Sequence, residues 1–186
     1  ALNCVANGKI LRDLAFKNIW IQPAAGDAGG ALGSALSVWH KELNNKRIVE
    51  ADDSMQGSYL GPAYSKLSIE NELSVCGANY ITVSDKNIIE QTAQALAEGK
   101  AIGWFQGRME FGPRSLGGRS ILGDPRSENM QKTLNLKVKY RESFRPFAPS
   151  VLRSDISDWF EADYDSPYML FVCKIKKDKL IKMNKE

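Results

Sequence analysis

Histidine is nearly absent: the chain of 186 residues holds one, His40. A metal centre built from several histidines therefore cannot be assembled from this sequence alone. Cysteine is scarce as well, with Cys4, Cys76 and Cys173 far apart and no CxxC pair. An odd, widely spaced set reads as structural thiols of a reducing compartment, which points to the cytoplasm. No run of about 18 apolar residues occurs, so no membrane-spanning helix and no membrane partner are expected. No basic segment followed by an apolar core opens the chain, so no signal peptide is expected. A start at Ala1 in place of Met reads as a fragment or a processed chain. What remains is ordinary, 43% hydrophobic and 25% charged, the proportions of a globular protein. The length suits one domain, or one domain with a piece of another.

The net charge of +3 hides a pattern. Gly107 to Arg145 carries nine Lys or Arg against four acids, a net of +5. Residues 174–186 carry a further +4, all of it from lysine, and the remainder is acidic. The first basic region is mainly arginine among glycines and aromatics, which is a binding composition more than a solubilising one.

Ile19 to Gln22 reads as a short strand, followed by the glycine-rich run Gly26 to Gly33 and a small-residue helix through Leu36 and Trp39. Residues 45–65 are polar and turn-rich and are expected to be a linker. Beyond them Tyr80 to Val83 is β-rich. Ser84 or Asp85 can cap a helix with Ile88, Ile89, Ala93 and Leu96 on its apolar face, and Gly99 closes it. Ala101 to Phe105 is an apolar strand, so a strand–helix–strand crossover with a largely covered sheet is predicted. Glu128 to Lys137 reads as helix. A further helix capped by Ser154 or Asp155 reaches Phe160, Tyr168 to Ile175 reads as strand, and the tail from Lys176 is expected to fray.

The segment GRMEFGPRSLGGRS, from Gly107 to Ser120, follows the strand ending at Phe105. Loops at strand ends are where α/β proteins place ligands. Its glycines let backbone amides approach a ligand. Arg108, Arg114 and Arg119 offer planar donor forks that match phosphate or carboxylate oxygens. The competing reading is that these arginines pair with acids of a neighbouring domain, Arg119 or Arg126 above all. In Lys137 to Pro149, Lys139 and Arg141 alternate, so on an extended chain they share a face. Pro146 and Pro149 stiffen the stretch that carries Arg145. Two cations on one face suit a triphosphate or a small phosphorylated donor; the alternative is an edge strand protected by charge. Asp27 is by default a helix cap.

The runs GRMEFGPRSLGGRSILGDPR and LNLKVKYRESFRPFAPSVL, with ALNCVANGKI and QPAAGDAGGALGSAL, resemble the nodulation and antibiotic-biosynthesis O-carbamoyltransferase family, over nearly the whole chain. The resemblance implies an α/β protein: a YrdC-like twisted mixed sheet with helices over 66–186, preceded by residues 1–44 as the last piece of an actin-like ATPase-fold domain. It implies that ATP, as co-substrate, and carbamoyl phosphate form carbamoyl adenylate. The carbamoyl group then passes to a hydroxyl-bearing small-molecule acceptor, aided by a divalent metal, iron or magnesium. Lys139 and Arg141 resemble the family's KxR phosphate-holding element, and Arg108 and Arg114 its arginine run; these four are the candidate catalytic residues. Asn3, Gly26, Gly29, Gly30, Arg119 and Arg145 are candidate substrate or nucleotide contacts. Asp27 resembles the aspartate of a His-His-Asp metal site whose histidines would lie upstream.

Ser115, Gly118 and Gly123 depart from the family's Ala, Asn and Ala. After Ser166 to Phe171 the family continues into a histidine- and glycine-containing run and a Ser/Asn motif that do not follow here. The chain is therefore expected to be truncated at both ends, and inactive alone, with room for a homodimer. The alternative reading is a YrdC-like RNA-binding module without catalysis. Its basic patch would make binding steeply salt-dependent, but the few interleaved aromatics and the glycine-rich loop favour a compact ligand, and nucleic acid is not the expected partner.

Overall fold

The computed structural model describes residues 1–49 and 53–181. In chain order these form helices α1 (Cys4–Arg12), α2 (Asp27–Ser37), α3 (Lys66–Val75) and α4 (Asp85–Ala97), strands β1 (Ile102–Phe105) and β2 (Arg119–Leu122), and short helices α5 (Met130–Thr133) and α6 (Ile156–Trp159). The chain is thus mixed α/β. The described residues gather into two compact units. One combines Ala1–Ser58, Phe111–Arg114 and the chain from Ser150; the other combines Tyr59–Glu110 and Ser115–Pro149.

In the first unit, Asn3 caps α1 by accepting a hydrogen bond from the Ala6 N–H at 3.0 Å. Buried Asn7 then ties the helix to the chain near residue 170, its Nδ2 donating to the carbonyls of Ala1 at 2.8 Å and Leu170 at 3.1 Å. Arg12 repeats the tie one turn on, donating to the Val172 carbonyl at 2.8 Å. α2 forms where the small-residue run predicts it and passes into a wide π turn, Val38–Glu42. The expected strands do not form. Ile19 to Gln22 carries no ladder, and Tyr168 to Ile175 contributes only the isolated bridge Phe160–Ile175. A β-rich segment becomes a strand only when a partner accepts its backbone hydrogen bonds, and the described residues supply none there. Of the lysine tail, Lys177–Lys179 forms a single 3₁₀ turn, and 182–186 lie outside the described residues.

The second unit holds the best-specified local structure. Ser84 caps α4 through the Asn87 N–H at 3.3 Å. Gly99, at φ 78°, ends it. The bonds Gly99 N–H to Leu96 O, 2.9 Å, and Lys100 N–H to Ala95 O, 3.0 Å, make a Schellman closure, which needs the left-handed conformation that glycine adopts without penalty. β1 pairs antiparallel with β2, from Ile102 opposite Leu122 to Phe105 opposite Arg119. The predicted crossover is therefore replaced by a hairpin, and Tyr80 to Val83 has no strand partner among the described residues. Met130 and Leu134, 5% and 4% exposed, form the apolar centre beside the fully buried Asn135.

Candidate functional site

The loop between β1 and β2 runs from Gln106 to Gly118 and holds most of the arginine segment. What shapes it is an acid, Glu110. Its side chain is fully buried, and Oε1 accepts the N–H groups of Leu116 at 2.7 Å, Gly118 at 2.8 Å and Arg119 at 3.2 Å. Oε2 accepts Arg119 Nε at 2.9 Å, and Arg119 Nη2 returns to the Glu110 carbonyl at 3.0 Å. Burial by itself opposes the charged carboxylate. The hydrogen bonds from the Leu116 amide, Arg119 and the Gly118 amide outweigh it and hold the group at about 2.

Arg119 is thus consumed in fixing its own loop. Arg126 is consumed likewise, in a two-pronged pair with Asp124 at 2.9 and 2.7 Å. These two arginines pair with acids of their own segment, where the competing reading placed acids of a neighbouring domain. Gly118 belongs to the arrangement: a Cβ there would lie 2.8 Å from the Arg108 carbonyl oxygen and 3.1 Å from Glu110 Oε2. The loop closes over a position without a side chain.

Arg108 stands exposed at the start of the loop. Lys139, also exposed, ends the π turn Leu134–Val138 that prolongs α5. The extended, same-face arrangement expected for Lys139 and Arg141 is not formed. Tyr140 takes a left-handed φ of 50°, and the Arg141 N–H bonds back to the Asn135 carbonyl at 3.0 Å. The stretch is a helix end that folds back, held by side-chain amides. Asn135 Nδ2 donates to the carbonyls of Ser143 at 3.1 Å and Arg145 at 2.8 Å, and its Oδ1 accepts Arg141 Nε at 2.6 Å. Gln131 adds bonds to the carbonyls of Phe144 and Arg145 at 3.1 and 3.2 Å. The Arg141 guanidinium lies over the Phe147 ring, 4.8 Å from its centroid. Among the described residues no carboxylate pairs with Arg141. It is positioned by neutral groups and keeps its charge uncompensated. Arg145 forms an exposed pair with Glu142 at 3.2 Å.

The first unit holds the other candidates. Arg114 donates through Nη2 to the Leu2 carbonyl at 2.8 Å. Asn3 spends its side-chain oxygen on the α1 cap. Gly26 precedes α2, Gly29 donates to the Ala24 carbonyl at 2.9 Å and Gly30 to the Gly26 carbonyl at 2.9 Å. Asp27 is the exposed first residue of α2. It supplies one carboxylate, and among the described residues no group of three His, Cys, Asp or Glu is placed to hold a metal. These residues alone do not build a metal centre.

Sequence reasoning missed Glu110, Asn135 and the pair of Asp53 with Tyr168. The Tyr168 hydroxyl donates to the Asp53 carboxylate, which also accepts the N–H groups of Met55 and Gly57, each at 3.1 Å. Burial and then the Asp53 hydrogen bond push Tyr168 up to about 12. A lone acid among arginines was the available signal for Glu110; Asn135 gave none. No helix among the described residues is long and apolar enough to cross a membrane.

A family model described as carbamoyltransferase C-terminus matches residues 93–185, and one described as carbamoyltransferase N-terminus matches residues 1–36. An uncharacterized protein of Synechocystis is 59% identical over 96% of the chain, which covers 29% of that relative. The nodulation protein NolNO of Sinorhizobium fredii is 43% identical over 96% of the chain, covering 26% of its own length. The 3'-hydroxymethylcephem-O-carbamoyltransferase of Streptomyces clavuligerus is 30% identical over 95% of the chain, covering 31% of its own length. The chain thus spans less than a third of each of these three proteins.

Proposed function

This chain belongs to the carbamoyltransferase family, and we propose that it supplies the phosphate-binding part of an enzyme that carbamoylates the hydroxyl of a small molecule. In this reading water cleaves carbamoyl phosphate into carbamate and inorganic phosphate, and a carbamate oxygen attacks the α-phosphorus of ATP. The new P–O bond forms as the bridging bond to pyrophosphate breaks, giving carbamoyl adenylate. The acceptor hydroxyl then attacks the carbamoyl carbon, and AMP leaves. The finer architecture assigned to the chain, a YrdC-like domain over 66–186 after the end of an ATPase-like domain at 1–44, belongs to the same proposal. So does a divalent metal held by Asp27 with ligands beyond this chain.

The observation that carries the proposal is the state of Arg141. Asn135 and Phe147 fix its guanidinium without neutralising it. A prepositioned, unspent cation is what stabilises charge on phosphate oxygens in a transition state. Lys139, two residues earlier and exposed, adds a mobile cation. Arg119 serves the reading indirectly, by holding the loop that presents Arg108.

The test is carbamoyl-phosphate-dependent exchange of pyrophosphate into ATP, measured on the full-length protein. Lys139→Ala and Arg141→Ala should each lower the exchange rate by about 10²-fold or more, the usual cost of deleting one preorganised donor. Exchange at the unaltered rate in both variants refutes the assignment of the site.

A further inference from the structure

Residues 59–62 form a strap that is bonded at both of its ends to the loop between β1 and β2. The Gly61 N–H donates to the Met109 carbonyl at 2.9 Å, and the Met109 N–H donates to the Pro62 carbonyl at 2.9 Å. The fit leaves no space for a side chain, since a Cβ on Gly61 would lie 2.7 Å from the Met109 carbonyl oxygen. At the other end the Tyr59 hydroxyl donates to the Leu116 carbonyl at 2.5 Å. A Cβ on Gly117 would lie 3.2 Å from that hydroxyl, so the contact is close there too. The strap, Met109 and Leu116 all belong to one compact unit, Tyr59–Glu110 with Ser115–Pro149.

The two attachment points bracket Arg108. Met109 follows it directly in the chain. Leu116 opens the stretch to Gly118, and Gly118 backs onto Arg108, because a Cβ there would lie 2.8 Å from the Arg108 carbonyl oxygen. The Gln106 N–H donates to the Gly118 carbonyl at 3.0 Å. The backbone around Arg108 is therefore held on every side, while its side chain stands exposed. Glu110 accounts for only part of this. It accepts the amides of Leu116, Gly118 and Arg119. The Leu116 carbonyl falls to Tyr59, and both backbone groups of Met109 fall to Gly61 and Pro62. A cation carried on a backbone fixed in this way meets its ligand without first paying to order the loop.

We infer that Tyr59 is a positioning residue of the reaction, its hydroxyl fixing the loop backbone from which Arg108 projects. The inference rests on the reading of Arg108 as part of the reacting site. It adds a residue that lies outside the arginine segment and acts only through another side chain.

A double-mutant cycle on the full-length protein separates positioning from plain support of the fold. Carbamoyl-phosphate-dependent exchange of pyrophosphate into ATP is measured for the unaltered protein, Tyr59→Phe, Arg108→Ala and the two changes together, at a temperature where melting curves show all four folded. Tyr59→Phe keeps the ring and deletes only the hydroxyl. It should lower kcat/KM by about tenfold, the order expected when one orienting hydrogen bond is lost. In the Arg108→Ala background the same change should cost less than about twofold, because a residue that acts through Arg108 then has nothing left to orient. Gly61→Ala, which pushes the strap off Met109 at its other end, should show the same dependence on Arg108 and serves as the second variant. An unaltered rate in Tyr59→Phe overturns the inference and leaves the arginine loop standing. An equal loss in the two backgrounds overturns it as well, since a general structural role acts whether or not Arg108 is present. An unaltered rate in Arg108→Ala overturns the reading of Arg108 itself, and the role of Tyr59 with it.

Discussion

Replacing Glu110 with glutamine probes the residue on which the arginine loop is built. The glutamine side chain has the same shape and keeps one oxygen, enough to accept the Leu116, Gly118 and Arg119 amides that Oε1 now accepts. Its amide nitrogen must then face Arg119 Nε, which now lies 2.9 Å from Oε2, so two donors meet where a charge pair stood. Removing one partner of a buried pair costs about 3–5 kcal/mol. Arg119 is 34% exposed and can regain some water, which places the expected loss at about 2–4 kcal/mol. With a urea slope of roughly 1–3 kcal/mol/M for a small unit, the midpoint should fall by about 1–2 M. Trp104 in β1, opposite Ser120, reports the transition by fluorescence.

The effect also has a pH signature. The folded carboxyl titrates at about 2, below its ordinary value of 4.5. Its contribution is complete above 4.5 and is lost as pH falls towards about 2. The gap between the unaltered protein and Glu110→Gln should narrow across that window. A midpoint shift below about 0.3 M at neutral pH, with the slope unchanged, would refute the claim that Glu110 organises the loop.

Asn135→Ala should destabilise the protein by about 1–3 kcal/mol, because two carbonyls and Arg141 Nε lose their partner at a fully buried position; urea unfolding measures it. The same change frees Arg141, so the exchange activity should fall along with stability. Asp53→Asn should move the Tyr168 titration down from about 12, though not as far as an exposed tyrosine, since burial remains the larger cause. Tyrosinate absorbance follows it. Because the folded value is raised, the stability that Tyr168 contributes is present below its ordinary value near 10 and is lost as pH rises through about 12. An unshifted titration in Asp53→Asn would show that the pairing does not hold the phenol.

Local signals were legible because their physics is local. Ser84 and Gly99 bound α4 through bonds that span only a few residues, and the small-residue run after Gly26 winds into α2. The concentration of arginine and glycine between Gly107 and Arg145, and the family to which it belongs, also lie in the sequence. Strand pairing was not legible. Tyr80 to Val83 and Tyr168 to Ile175 have β composition, but a ladder needs a second segment at the right distance, and composition cannot provide one.

The division of labour among the cations was likewise decided in three dimensions. Arg119 and Arg141 are alike as letters, each near the end of a basic run. One faces the buried carboxylate of Glu110 and is spent on the fold; the other rests on the neutral amide of Asn135 and keeps its charge. Sequence alone shows that this chain carries a concentrated set of cationic donors between Gly107 and Arg145. Which of them remain available is a property of the tertiary structure, because a charge is neutralised by whatever lies within a few ångströms of it.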